Sequence, residues 1–331
     1  MGKNRGLAAF ISLLLVCSAL LSACSDKAAS SGQTNTDAKQ TIRIGYQKNG
    51  PLFILKNQGN LEKRLQPLGV SVEWFEFPSG PPVLESLNAG SIDLGRTGDA
   101  PPIFAQAAGS SLVYVGVGKP KSKGTGFLVK KDSAIRSLQD LKGKTIGFSK
   151  GSSSHYFLVK VLGQAGLNLT DIKPAYLTPG DGRIAFEQGN IDAWIVWDPF
   201  TADAERSADA RVLISGEGLT SDRDFFLASA EYAKNHGDII RIVLEEVQKS
   251  CDWANQNQGK LADLLSSLLG IDKASMEMAI ERREYGLDEM NEEIMEEQQE
   301  VAGTFYDLKI IPEKVNVKER FFMLPKKEVG K

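Results

Sequence analysis

Cysteine and histidine are scarce in this 331-residue chain, which has three cysteines and two histidines, at positions 155 and 236. So few cysteines exclude a disulfide framework, and no pair of these residues has the spacing of metal ligands, so no metal is expected. Positive charge is not in excess either. Lys and Arg number 39 against 42 Asp and Glu, a formal net charge of −3, and without a clustered basic surface nucleic acid is not an expected partner. Neither a P-loop nor a dinucleotide fingerprint occurs. Ser152 and His155 share one helical turn but lack a G-x-S-x-G elbow and a third member, so a hydrolase triad is not expected. Taken together these gaps point to a chain that is not an enzyme and uses no cofactor.

Length and balance describe what is present. With 42% hydrophobic and 24% charged residues the chain has ordinary globular composition, and 331 residues suggest two domains. Residues 1–23 read as a signal peptide: Lys3 and Arg5 precede an apolar run from Leu7 to Leu20, shorter than the roughly 20 residues of a membrane span. Leu21-Ser22-Ala23-Cys24 resembles the bacterial lipobox, which implies that Cys24 is the lipidated first residue of the mature protein; the alternative is an ordinary signal peptide with an incidental cysteine. Residues 24–40, rich in Ser, Ala, Thr and Lys, read as the lipidated cysteine and a flexible tether. Cys251 shares a helical face with Val243, Leu244, Val247 and Ala254 and reads as a small core residue.

The chain states one supersecondary unit twice. Ile44-Gly45-Tyr46-Gln47-Lys48 recurs as Ile146-Gly147-Phe148-Ser149-Lys150, and Gly90-Ser91-Ile92-Asp93 recurs as Gly189-Asn190-Ile191-Asp192. Asp99 maps onto Asp198 at the same offset, each beside prolines that suit a first helical turn. Alternating strands and helices joined by short Gly/Pro turns predict two parallel α/β sheets, whose carboxyl edges face a shared cleft. The Gly-rich stretch Val117 to Gly126 and the segment Ser221 to Asp224 read as two crossings between the lobes. The C-terminal third has helical spacing over Asp238–Asn255, Lys260–Leu269, Lys273–Arg283 and Asp288–Thr304.

Helix starts at Gly50-Pro51, Gly98-Asp99, Gly151-Ser152 and Asp198-Pro199 would offer unpaired N–H groups and about half a positive charge each, a favourable place for an anion. Ser152, Ser153 and Ser154 can surround tetrahedral oxygens, or one of them can cap the helix while the others face water. His155 is either a further donor or a structural polar residue. Thr97 and Gly98 form the opposing clamp, with Asp99 a cap or, for a zwitterionic solute, a contact for an ammonium group. Trp194 and Trp197 face opposite sides of a strand, so one can line the cleft; Trp197, nearer the helix start, is the candidate wall for an apolar tail. Arg96, Arg282 and Arg283 either reach the site or lie exposed.

The segments Ile42 to Gly50, Val72 to Pro81, GRTGDAPPIFAQ (Gly95 to Gln106), KGSSSH (Lys150 to His155), FEQGNIDAWIVWDPF (Phe186 to Phe200) and RREYG (Arg282 to Gly286) closely resemble the aliphatic-sulfonate-binding proteins of ABC importers. The resemblance covers essentially everything after the tether. It implies an α/β, two-lobed periplasmic-binding-protein type II fold with two hinge crossovers and a helical C-terminal segment. On this reading residues 41–123 begin lobe 1, 124–222 form lobe 2, and 223–331 return to lobe 1 with the C-terminal helices. The family's contacts carry over onto Gln47, Thr97, Gly98, Asp99, Ser152, Ser153, His155, Trp197 and Asp198. The resemblance further implies an extracytoplasmic, lipid-anchored monomer on the outer face of the cytoplasmic membrane, which binds a small organic sulfonate and delivers it to an ABC permease. Where Arg96 and Ser154 stand, family members usually carry an aromatic residue and alanine, which leaves the solute preference open. Nitrate, taurine and thiamine-precursor binding are served by the same fold, as is a pyrimidine-precursor-forming enzyme that looks to need a Cys-rich iron motif absent here. A sulfonate held by neutral dipoles implies affinity that is flat between about pH 6 and 8 unless protonated His155 is the counter-ion.

Overall fold

A computed structural model describes residues 40–324; the signal sequence, the Cys24 lipidation site and nearly all of the tether lie outside them. Strands β1 (Gln40–Tyr46), β2 (Val70–Glu76), β3 (Leu94–Thr97) and β4 (Leu112–Gly118) form the first part of one sheet. The chain then crosses to a second sheet built from β5 (Thr125–Lys130), β6 (Thr145–Phe148), β7 (Lys173–Tyr176), β8 (Ala193–Trp197) and β9 (Ala210–Ser215). It returns through β10 (Phe225–Ser229), and the short β11 (Leu287–Asp288) pairs with β4 at the first sheet's edge.

The strand orders are β11-β4-β10-β3-β1-β2 and β7-β6-β8-β5-β9. Each sheet therefore contains a parallel trio, β2-β1-β3 in one and β7-β6-β8 in the other, flanked by an antiparallel strand that follows a crossing, β10 or β5. The repeated Ile-Gly motifs occupy the equivalent central strands: Ile44 and Gly45 pair with Leu94 and Gly95, and Ile146 and Gly147 pair with Ala193 and Trp194. Central strands covered on both faces need apolar side chains throughout, and β4 is buried at every position.

Helices α1 (Pro51–Gln58), α2 (Asn60–Leu65), α3 (Gly80–Asn88) and α4 (Ala100–Ala107) accompany the first sheet, and α5 (Ser153–Ala165), α6 (Pro179–Glu187) and α7 (Phe200–Ser207) the second. Then follow α8 (Ala230–Asn235), α9 (Gly237–Gln256), α10 (Gln258–Leu269), α11 (Lys273–Glu281) and α12 (Glu292–Asp307). The last helix starts four residues later than the spacing from Asp288 predicts, because Leu287 and Asp288 extend the first sheet and Asn291 caps Ile294 N–H. Cys251 is buried in the first lobe's core with Val243 and Val247.

The two crossings, 119–124 and 216–224, run side by side: Gly118 N–H donates to Asp224 O at 2.7 Å and Lys121 N–H to Ser221 O at 3.1 Å. The C-terminal segment packs back on the first sheet, with Phe321 stacked on Tyr114 and Phe322 N–H donating to Tyr114 O at 2.9 Å. Gln298 of α12 donates to Asp99 O at 2.6 Å, which ties the C-terminal helix to the start of α4.

Candidate functional site

Four helix starts surround two small adjoining cavities. Gly98 and Pro101 at α4, with Ser152 and Ser153 at α5, line a cavity of about 20 Å³. Gly50 at α1, with Asp198 and Pro199 at α7, line a neighbour of about 40 Å³. Asn49, Lys121, Trp197 and Asp222 border both. Local chemistry explains the turns: Gly50 and Gly151 take φ of 81° and 73°, a left-handed backbone that glycine alone adopts without cost. Gly98 is needed for another reason. A β-carbon there would sit 2.0 Å from the Ser153 hydroxyl oxygen, so the two lobes meet where a side chain is missing.

Of the residues expected at the site, Gln47, Gly98, Ser152 and Ser153 share the smaller cavity, Asp198 borders the larger, and Trp197 borders both. Trp194 faces away and is buried against Phe186. Three expected residues lie behind this lining. The Thr97 hydroxyl donates to Gly98 O at 2.9 Å, and Asp99 Oδ1 accepts from Ala100 N–H at 2.7 Å as the cap of α4. His155 is the clearest departure: its ring lies between Phe104 (5.9 Å), Phe148 (5.1 Å) and Phe305 (5.4 Å), and Nδ1 accepts from Gly151 N–H at 3.3 Å. It borders neither cavity, because Phe104 and Phe305 from the first lobe enclose it. None of the three serines caps α5 through its side chain, and Ser152 and Ser154 are buried rather than facing water. Asp198 does cap, one turn in: its Oδ1 accepts from Ala202 N–H at 3.0 Å.

The sequence left Arg96 and Arg283 either reaching the site or exposed; Arg96 is buried at the smaller cavity and Arg283 half-buried at the larger, both held by a carboxylate that no local pattern announces. Asp224 pairs with Arg96, with Arg283 at 3.0 Å and with Lys121 at 3.6 Å, and Lys121 also reaches Asp222 at 2.6 Å. Arg96 further donates to Asn49 Oδ1 at 2.9 Å. Arg282 spans the lobes, 3.5 Å from Asp198 and 2.5 Å from Glu205. Beyond Trp197, the larger cavity is walled by Leu265, Leu269, Met276, Ala279 and Ile280 from α10 and α11, which sequence reasoning did not connect to the site.

Burial sets the electrostatics, because removing a charge from water disfavours the ionised form unless a partner compensates. Burial, assisted by Asp222, pushes the Asp99 carboxyl up to about 7, against the pull of Ser153 and Lys121. Burial likewise pushes Asp198 up to about 7, with Arg282 opposing. Burial also works against an ionised Asp224, but Arg96, Lys121 and Arg283 outweigh it and hold that carboxyl far below the usual range. His155 is pushed down to about 4 by burial and by Lys150.

Two α/β sheets with matched strand order, two adjacent crossings and helix starts facing one cleft define a two-lobed binding protein of the periplasmic type. Comparison with known proteins agrees. Residues 66–260 match the family described as NMT1/THI5 like. An aliphatic sulfonates-binding protein of Escherichia coli (strain K12) is 43% identical over 285 residues, covering 86% of this chain and 89% of that protein. The alkanesulfonate-binding protein SsuA from Xanthomonas axonopodis pv. citri, solved bound to MOPS, superposes with a TM-score of 0.83 at 38% identity, over 86% of this chain and 98% of the other. The periplasmic aliphatic sulphonate binding protein SsuA from Escherichia coli gives 0.79 at 41%, over 88% and 95%. The chain belongs to the aliphatic-sulfonate-binding proteins of the NMT1/THI5-like family, and its Escherichia coli and Xanthomonas relatives are binding proteins rather than enzymes.

Proposed function

We propose that this chain is the extracytoplasmic solute-binding subunit of an ABC importer and that its solute is an aliphatic sulfonate. One observation carries the reading: Gly98 of one lobe and Ser152 and Ser153 of the other line a single cavity at two helix starts, and it adjoins an apolar one. The sulfonate oxygens accept from the N–H groups at Gly98 and Ser153 and from the Ser153 hydroxyl, while the Ser152 hydroxyl donates to Ser149 O at 2.7 Å, with the half-charges of α4 and α5 favouring a negative group. The tail lies on Trp197 and runs toward Met276 and Ile280.

Residues 41–123 and the return from 223 act as one lobe and 124–222 as the other, turning about the paired crossings; their separate sheets support this division. Cavities of about 20 and 40 Å³ have room for a few waters, so the lobes must part to admit a sulfonate. Binding then favours closure, because the closed form adds the second lobe's donors. The monomer, anchored through Cys24 to the outer face of the cytoplasmic membrane, presents the closed complex to its permease. Membrane release of a Cys24→Ala variant tests the anchor.

A thermal-shift panel of alkanesulfonates, taurine, nitrate and a thiamine precursor tests the solute, since a ligand at 100 times its Kd adds about 2.7 kcal/mol. Stabilisation by alkanesulfonates, with the ligand recovered unchanged by mass spectrometry, is expected. Stabilisation by nitrate or the precursor and by no sulfonate overturns the reading.

A further inference from the structure

The ion pairs behind the cleft form one connected network. Asp224 touches Arg96, Lys121 and Arg283, and Lys121 also touches Asp222. No side chain in it is more than 12% exposed. Three cations against two carboxylates leave one positive charge, and an unbalanced charge shielded from water calls for a counter-ion. Three members, Arg96, Lys121 and Asp222, line the cavity that Gly98, Ser152 and Ser153 border. Arg96 Nε is buried there without a hydrogen-bond partner.

We propose that this network, rather than the helix starts alone, sets the charge of the head group that the cleft accepts, and that its single net positive charge selects a monoanion. The inference rests on the sulfonate-binding reading and specifies its electrostatics. Helix starts supply partial charges that any anion can use, whereas a fixed whole charge distinguishes a singly charged head group from a neutral one of the same shape. Other charged groups near the cavities leave this balance intact at pH 6. Lys48 is paired with Glu76 at 3.0 Å, His155 is neutral, and Asp99 and Asp198 are mainly protonated with midpoints near 7.

Calorimetric titration at pH 6 with hexane-1-sulfonate and with hexyl methyl sulfone, its neutral tetrahedral analogue, tests the proposal. Arg96→Met cancels the net charge, and Arg96→Met/Asp224→Asn removes one charge of each sign and restores it. The affinity ratio of sulfonate to sulfone is expected to fall at least about tenfold in Arg96→Met and to return within about threefold of wild type in the double variant. A purely structural Arg96 would weaken both ligands together and leave the ratio unchanged, which overturns the proposal. A double variant whose ratio stays as low as that of Arg96→Met also overturns it, because contacts of Arg96 rather than net charge would then be responsible. If Arg96→Met does not fold, the double variant decides on its own: a wild-type ratio supports the network, and a loss of about tenfold sinks it. Wild-type protein that binds no alkanesulfonate refutes the functional reading itself. A wild type that binds, with ratios that do not respond, refutes the network alone.

Discussion

Gly98 and Ser153 meet across the cleft so closely that a β-carbon on the first would lie 2.0 Å from the hydroxyl oxygen and 3.3 Å from the β-carbon of the second. The contact joins the start of α4 to the start of α5, the two elements that supply the proposed head-group donors. Closure and binding therefore share one point of the backbone.

Gly98→Val should accordingly weaken sulfonate binding by at least about tenfold while leaving the melting temperature of the free protein nearly unchanged, since the lobes can part to relieve the collision. Gly95→Ala, three residues earlier, should do the reverse. Its β-carbon would lie 2.5 Å from Val83 Cγ1 inside the first lobe, where no domain motion relieves it, and overpacking of this kind costs about 1–3 kcal/mol. Calorimetry and thermal melts on the two variants separate these outcomes.

Asp99 should give sulfonate binding a pH dependence where the sequence reading expects affinity flat between about pH 6 and 8 unless protonated His155 is the counter-ion. Its carboxyl, with a midpoint near 7, lies one residue from Gly98, and an anion bound there disfavours a second negative charge and raises that midpoint further. Binding then takes up a proton, so sulfonate affinity should fall as pH rises from 6 to 8, by up to about tenfold per unit. His155 cannot supply this slope, because it is already neutral throughout that range. Asp99→Asn should lessen the slope, leaving the part that belongs to Asp198, whose carboxyl borders the larger cavity with a midpoint also near 7; an unchanged slope in that variant would remove Asp99 from the account.

These two cases show what was legible in the sequence. The Gly-marked turns are local and recur at a fixed offset, so the strands, the duplicated lobes and the helix starts at Gly98 and Ser152 could be read directly. The ion-pair network could not. Arg96 and Asp224 are 128 residues apart and Asp222 bonds to Thr125 from 97 residues away, and an ion pair leaves no periodicity in either segment. Lys121, Asp222 and Asp224 lie in stretches read only as crossings. For His155 the helical position was legible, but not the aromatic enclosure, which needs Phe104 and Phe305 from distant segments. The apolar wall of Met276 and Ile280 was read simply as helix, because a side chain facing a ligand and one facing a core have the same spacing.

That wall predicts a chain-length series. Each buried methylene is worth about 0.8 kcal/mol, so affinity should rise about fourfold per carbon from ethanesulfonate upward until the cavity is filled. Ile280→Asn should flatten the series, because a polar group at the wall removes the gain from each added methylene, while leaving a basal affinity for the shortest sulfonate. A wild-type series with no length dependence would rule out the tail's placement against α11.

His155 bears on stability in acid rather than on the ligand. Its Nε2 is buried without a partner and its folded midpoint, about 4, lies below the ordinary histidine value of 6.5. The unfolded chain therefore binds a proton that the folded chain refuses, and stability contributed by the neutral ring is complete above pH 6.5 and lost as pH falls toward 4. The whole span corresponds to about 3 kcal/mol. Asp99 and Asp198, with midpoints raised to about 7, act in the opposite direction: the folded state holds their protons, so they favour folding as pH falls from 7 toward 4. Substitution isolates the histidine. His155→Phe keeps an aromatic ring among Phe104, Phe148 and Phe305 and removes the titration, so its melting temperature should drop less than that of wild type between pH 6.5 and 4.5. Equal acid sensitivity in the two proteins would mean that the ring protonates without opening its aromatic enclosure.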